Sequence, residues 1–124
     1  MKVLTVYYAH AICLYGKEQE KKELVLIREK FKDAEIINPA HYQNLPMDFY
    51  LRLVDKCHIV VFSRLLGKVT SGVGKEVNYA LEKGKDVYML NEVGLIPIKS
   101  PVKCISLQST RELYQEWVLR QEIV

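Results

Sequence analysis

The segment Gly67-Lys68-Val69-Thr70-Ser71-Gly72-Val73-Gly74-Lys75-Glu76 gathers the residue types that hold anions and attack electrophiles. Two glycines two apart at the start of a helix let the backbone come close to a ligand. The free N–H groups there, with the helix dipole, form a weak anion site. Arg64, Lys68 and Lys75 add positive charge, with no acid between Ser63 and Lys75. A phosphate or a ribose hydroxyl suits such a place. The segment is not a Walker loop, because Val69 stands at the first required glycine and Glu76 at the required Ser or Thr. Nor is it a dinucleotide fingerprint, since the third glycine position is Val77. A plain glycine-rich turn that opens a helix, with exposed lysines, accounts for the same residues. Glu76 is the sharper residue. Placed in the first turn of the expected helix, its carboxylate is either a dipole partner or a nucleophile toward an electrophilic sugar carbon.

Such a segment acts only if the chain positions it, and the pattern of the other residues says how. Val3 to Tyr8 is β-branched and aromatic with no helical period, which predicts a buried strand. After Gly16 and Lys17 a charged helix runs to about Lys32, with Leu24, Leu26, Ile27 and Phe31 largely on one stripe. Ala34 to Ile37 reads as a second strand, closed by Asn38-Pro39. Met47 to Cys57 reads as a short helix with Tyr50, Leu51 and Val54 inward, and Ile59 to Phe62 as a third strand. A helix from about Val73 to Lys83 turns Val77, Ala80 and Leu81 to the core, with Gly84 as its left-handed cap. Val87 to Leu90 is a fourth strand. Asn91 to Pro101, with Gly94, Pro97 and Pro101, reads as a loop, and Lys103 to Leu107 as a weaker fifth strand. Ser109 with Glu112 forms a capping box for a last helix bearing Leu113, Trp117 and Val118. Strands alternating with helices imply right-handed crossovers and a parallel sheet. The expectation is one α/β domain over residues 1–124, a parallel five-stranded sheet of order 2-1-3-4-5 in three layers, with helices on both faces.

In that order the sheet reverses between the first and third strands, and ligands bind beyond the carboxyl ends there. Two segments then line the crevice: Tyr7 to Ala11, and Arg64 to Glu76. Composition narrows the partner. With 18 Lys and Arg against 15 acids in 124 residues, the net charge of +3 is mild, and the first helix balances its charges. Both points argue against nucleic acid, which draws a clustered basic face. No stretch is long and apolar enough to span a bilayer. Lys2 before an apolar run and Ala9-His10-Ala11 resemble a secretory signal with its cleavage site, but cleavage would delete the best strand. Cys13, Cys57 and Cys104 are odd in number and widely spaced, which predicts free thiols in a reducing, cytoplasmic setting.

The run Thr70-Ser71-Gly72-Val73-Gly74-Lys75-Glu76-Val77-Asn78-Tyr79-Ala80-Leu81, then Gly84-Lys85-Asp86-Val87, resembles the nucleoside 2-deoxyribosyltransferases. It is also similar to their relatives, the 2′-deoxynucleoside 5′-phosphate N-hydrolases. Val6-Tyr7-Tyr8-Ala9 looks like that family's opening strand, which ends in a functional tyrosine. The likeness covers about Lys2 to Leu90. It implies a flavodoxin-like (Rossmann-like) fold and N-glycosidic cleavage or transfer on a nucleoside or nucleoside 5′-phosphate. Glu76 matches the family's nucleophile, which displaces the base and forms a glycosyl-enzyme ester that water or a second base resolves. Tyr7 matches the tyrosine that orients it, and Gly72 and Gly74 the backbone that contacts sugar or phosphate. The resemblance implies no metal or organic cofactor, and a homodimer or larger assembly.

This chain departs from the family in three places. Tyr50 stands where the family carries an aspartate that assists the leaving base, and the nearest acid is Asp48. His10 and Ala11 follow the first strand, where a glycine or serine is usual. Thr70 stands where the transferases carry a base-recognising acid. His10 and Asp48 are therefore candidate acids for the leaving base, each also explained as a loop or surface residue. Tyr42, after the second strand, is a candidate for stacking on the base. Ser71, Thr70, Arg64 and Lys75 complete the candidate sugar or phosphate cradle, and the loop's positive charge favours a 5′-phosphorylated substrate. Tyr7 and Tyr8 alternate across the strand, so one at most faces the crevice floor. Trp117 and Tyr114 read as core or a subunit contact. Two other readings stand beside the enzyme: a non-catalytic nucleotide-binding or sensor module, supported by Tyr50 in the aspartate's place, and a protein- or nucleic-acid-binding adaptor.

Overall fold

The structure is a computed structural model and describes residues 3–42 and 45–123 of the chain. The sheet forms where β-branched and aromatic residues run together. β1 (Thr5–Ala9) and β3 (Ile59–Phe62) are its centre, and Val6 to Ala9 and the whole of β3 are buried. β2 (Glu35–Ile37) flanks β1, while β4 (Asp86–Asn91) and β5 (Gly94–Ile98) follow β3, which gives the order β2-β1-β3-β4-β5. The β1–β2, β1–β3 and β3–β4 pairs are parallel, with Tyr7 opposite Ile37 on one side and Val60 on the other.

Helices cover both faces. α1 (Glu18–Lys30) lies on one side; α2 (Met47–Asp55) and α3 (Ser71–Glu82) lie on the other. The alternation of β1 divides the core accordingly. Tyr7 and Ala9 join Val54, Val60, Phe62, Val73, Val77 and Ala80 under α2 and α3. Val6 and Tyr8 join Ile27, Val61 and Leu90 under α1. α4 (Leu107–Ile123) closes the carboxyl end of the sheet, where Leu113 and Trp117 pack on Ala11, Leu14 and Leu65. Among the described residues, no helix is long and apolar enough to cross a membrane.

The fifth strand corrects the expectation of an all-parallel sheet. β5 is the segment Gly94–Ile98, not Lys103 to Leu107, and it pairs antiparallel to β4. Only Glu92 and Val93 separate the paired Asn91 and Gly94, and a parallel partner would need a crossover of a dozen residues or more. Asn91 fixes the turn by accepting the Val93 and Gly94 N–H groups on Oδ1, both at 2.9 Å. Pro97 marks the segment as a loop in the sequence, yet it is tolerated because β5 is an edge strand. Residues 102–105 instead form a strap across α3. Asn78 both donates to the Val102 carbonyl (3.1 Å) and accepts its N–H (2.8 Å), and the Ile105 N–H donates to the Val69 carbonyl at 2.9 Å. The last helix also starts earlier than the Ser109–Glu112 pair suggests: Ser106 Oγ caps it by accepting the Ser109 N–H at 3.0 Å.

α3 ends as expected. The Lys85 N–H reaches the Ala80 carbonyl and the Gly84 N–H the Leu81 carbonyl, with Gly84 at φ +76°, a left-handed glycine cap. Its start depends on Gly74 for packing. A Cβ there would lie 2.4 Å from the Cys104 Cβ and 2.6 Å from its Sγ, so the strap occupies the space a side chain would need. This yields a test with opposing terms. Helix propensity alone favours Gly74→Ala by about 1 kcal/mol, while overpacking costs about 1–3 kcal/mol. Urea unfolding is expected to show a net loss of up to about 2 kcal/mol for Gly74→Ala, largely recovered when Cys104→Gly is added.

Candidate functional site

α3 carries Val73, Glu76, Val77 and Ala80 on one face at three- and four-residue spacing, so a carboxylate is built into an apolar stripe. That stripe packs on the sheet. Glu76 is 6% exposed and Tyr7 0%, and the Tyr7 hydroxyl donates to Glu76 Oε2. Because α3 begins at Ser71, Glu76 lies in its second turn rather than its first. The dipole-partner reading loses its basis there, since that effect fades within the first turn. Burial pushes the Glu76 carboxyl from the ordinary value near 4.5 up to about 7, held back by the Tyr7 hydrogen bond. Burial, then the Glu76 charge, pushes the Tyr7 phenol far above its usual range.

Glu76, with Tyr7 behind it, forms the floor of a cavity of about 240 Å³ at the carboxyl end of β1, where the strand order reverses. His10, Ala11, Ile12 and Tyr15 form one wall, Leu45, Met47 and Tyr50 a second, and Thr70, Gly72 and Val73 a third. Tyr114 of α4 reaches in from above. Of the expected residues, Glu76, His10, Thr70 and Gly72 are therefore brought together, with Tyr7 beneath Glu76. Tyr50 also lines the cavity and donates its hydroxyl to the Tyr42 carbonyl.

Other candidates are placed elsewhere. Asp48 is exposed and does not line the cavity, although its neighbours Met47 and Tyr50 do. It lies one position from Met47 and two from Tyr50, offsets that turn it to another helical face. His10 lines the wall but has no nitrogen to offer a leaving base: Nδ1 lies 3.0 Å from the Tyr8 carbonyl and Nε2 2.7 Å from Glu20 Oε2. Burial pushes its pKa down, while Glu20 opposes the shift. Tyr42 is exposed, tilted against Phe49, and is not among the lining residues. Ser71 is also behind the wall, and its N–H is already given to Thr110 Oγ1 at 2.9 Å. Gly74 faces Cys104 rather than the cavity.

The expected cationic cradle does not form here. Lys75 is exposed, and Arg64 lines a different groove of about 840 Å³ on the α1 face, with Gln19, Lys22 and Glu23. The basic residues are close in sequence, but the tight turn at Leu65–Lys68, bridged by two backbone hydrogen bonds of 2.8 and 2.9 Å, sends them to different sides. Among the described residues, no three His, Cys, Asp or Glu side chains stand together as a metal site.

Sequence reasoning passed over Tyr15, Ile12 and Met47, and gave Tyr114 a core or interface role. Tyr15 carries the one signal that points to it, an aromatic just before Gly16 in the segment that leaves β1. Burial, then Glu76, raises the Tyr15 phenol, so the two face one site. Tyr114 depends on how α4 folds back, which no local pattern encodes. No protein-family model matches the chain, and no curated protein matches it either.

The raised Glu76 pKa has a stability consequence of fixed sign. Between about pH 4.5 and 7 the folded chain holds the Glu76 proton that the unfolded chain releases, so stability falls as pH rises through that window. The full effect is on the order of 3 kcal/mol. Glu76→Gln is expected to lose that slope and to be about 2–3 kcal/mol more stable than the parent at pH 8, with little difference at pH 4.5. Urea unfolding at the two pH values measures both.

Proposed function

We propose that this chain cleaves or transfers the N-glycosidic bond of a nucleoside or nucleoside 5′-phosphate, with Glu76 as nucleophile and Tyr7 as its positioning residue. The observation that carries the reading is the buried Tyr7–Glu76 hydrogen bond at the floor of an open cavity at the strand-reversal point. A buried carboxylate tied by a single phenol, in a site lined mostly by aromatic and aliphatic side chains beside His10 and Thr70, has no evident packing benefit. It is what nucleophilic displacement at an anomeric carbon requires. The resemblance around Gly72 to Leu81 supplies the reaction class.

In the reaction, a Glu76 carboxylate oxygen attacks the anomeric carbon. The carbon–nitrogen bond breaks, and its electron pair leaves on the base nitrogen. The base takes a proton, and water or a second base then opens the ester and restores the carboxylate. The described walls hold no second carboxylic acid, so the base's proton comes from a phenol, a water or the base's own tautomer. Substrates whose bases leave readily are favoured. The aromatic walls suit a planar base. Because Lys75 and Arg64 stand outside the cavity, a 5′-phosphate would rest on the remaining first-turn amides of α3, beside Gly72.

A second reading, a binding module without catalysis, is favoured by one observation: Asp48 lies outside the cavity, and the wall position that matches the aspartate of the resembled family is Tyr50. A panel of deoxynucleosides and their 5′-monophosphates, assayed for free base by chromatography, decides between the two. Base release that falls by at least about 10³-fold in Glu76→Ala is expected. Full activity in that variant would remove the proposal, and saturable binding with no base released favours the module. The attacking form is the carboxylate, so activity rises through about pH 7, the value to which Glu76 is pushed. Tyr7→Phe removes the donor that holds that value down. Its activity is expected to fall roughly 10–100-fold, and the rising limb to move to higher pH.

A further inference from the structure

One wall of the cavity is a short irregular segment, held in its middle by buried Leu14 and by the Tyr114 hydroxyl against the Ile12 backbone. Ala11 to Gly16 leaves the end of β1, makes a single 3-10 turn over Ile12–Leu14 and passes into α1 at Glu18. It supplies Ala11, Ile12 and Tyr15 to the cavity, and Ile12 is two-thirds exposed. Backbone bonds within the segment are few: Leu14 N–H to the Ala11 carbonyl and Tyr15 N–H to the Ile12 carbonyl, at 3.0 and 3.1 Å. Leu14 is fully buried on Leu113 and Trp117 and anchors the middle of the segment, so its two ends are the parts that open easily unless tied down.

Glu20, on the first turn of α1, ties the segment at both ends. Its Oε2 lies 2.7 Å from His10 Nε2, at the residue where the segment begins. Its Oε1 accepts the Gly16 N–H at 3.0 Å, where the segment ends. Both atoms facing His10, the Tyr8 carbonyl and the Glu20 carboxylate, are acceptors. The ring therefore donates through Nδ1, and one proton is shared between Nε2 and Oε2. The pair is neutral overall, which is how a histidine with a fully buried side chain and a 10%-exposed carboxylate coexist. The imidazole also stacks flat on Tyr8, at 3.8 Å and 3°, and meets the Tyr15 ring at 4.8 Å. His10 thus passes the position of β1 to the ring that lines the cavity.

We propose that Glu20 and His10 form a clasp that positions the Ala11–Tyr15 wall of the cavity, so that ligand capture depends on a carboxylate that does not line the cavity. The clasp itself rests on geometry alone. Its consequence for ligand capture rests on the glycosidase reading. Glu20 and His10 are positioning residues, and neither enters the chemistry.

The test uses the full chain with 2′-deoxyadenosine and its 5′-monophosphate as probes. In the parent protein, NMR is expected to show a far-downfield His10 Nε2 proton and a Gly16 amide protected from exchange. Absence of both overturns the clasp without any variant. Glu20→Ala is expected to raise KM, or the probe's Kd, at least tenfold, with kcat within threefold and faster exchange at Tyr15 and Gly16. Glu20→Gln can donate to a neutral His10 and still accept the Gly16 N–H, so it is expected to restore KM to within threefold of the parent. Unchanged KM and protection in Glu20→Ala, or equal damage in both variants, overturns the proposal. If the parent neither binds nor turns over either probe, the glycosidase reading fails, and the exchange data alone decide whether the clasp stands.

Discussion

The contact between Tyr7 and Glu76 sets the terms for the rest of this fold. A carboxylate in the apolar stripe of α3 is tolerable only if that helix keeps a fixed rotation and distance above β1, so that the phenol meets the acid. The strap of residues 102–105 supplies that constraint. It grips Asn78 with two hydrogen bonds and bonds Val69 just ahead of the helix. It also sets Cys104 in the space left by the missing Gly74 side chain. Gly74 therefore serves the site indirectly: it lets the strap close, and the strap aims Glu76.

β1 makes the same kind of contact on its other face, with a different outcome. Tyr8 donates to Glu23 Oε1 at 2.5 Å, as Tyr7 does to Glu76. Glu23 also accepts from Ser63 Oγ at 2.7 Å and Gln19 Nε2 at 3.1 Å on its second oxygen. A carboxylate with three donors is a poor nucleophile, because each bond stabilises the charge it would have to share. Among the described residues Glu76 has one side-chain donor. Two consecutive tyrosines thus bind two glutamates, and the count of donors separates the structural pair from the one proposed to react.

The first four strands were legible from hydrophobic patterning, and the order and cavity position followed from taking the common doubly-wound arrangement for alternating strands and helices. Glu76 was legible as a residue at the crevice, but its burial was not: the helix starts at Ser71, which turns Glu76 into the stripe of Val73, Val77 and Ala80. The hairpin at β5 was hidden by Pro97 and Gly94, which mark a loop in the interior of a sheet but not at its edge. The cationic cradle failed for a different reason. Neighbours in sequence need not share a face, and the turn at Leu66 and Gly67, both with positive φ, parts Arg64 from Lys75. The clasp of His10 by Glu20 had no local signature, since it joins the end of a strand to a helix across an irregular turn.

Burial of Glu76 also bears on the chemistry proposed for it. An ionised carboxylate in this site is raised in free energy by lost hydration, which is the physical content of its pKa near 7. Attack on a sugar carbon converts the charged group to a neutral ester, and the hydration penalty disappears as the bond forms. On the way, positive charge gathers on the sugar ring directly above the carboxylate, where the low-dielectric walls strengthen the attraction. The same burial that destabilises the folded chain above pH 7 thus favours both the transition state and the covalent state. Tyr7 limits the cost by keeping part of the acid ionised near neutrality. A site with more donors would hold the charge more firmly and react more slowly, and a site with none would stay protonated.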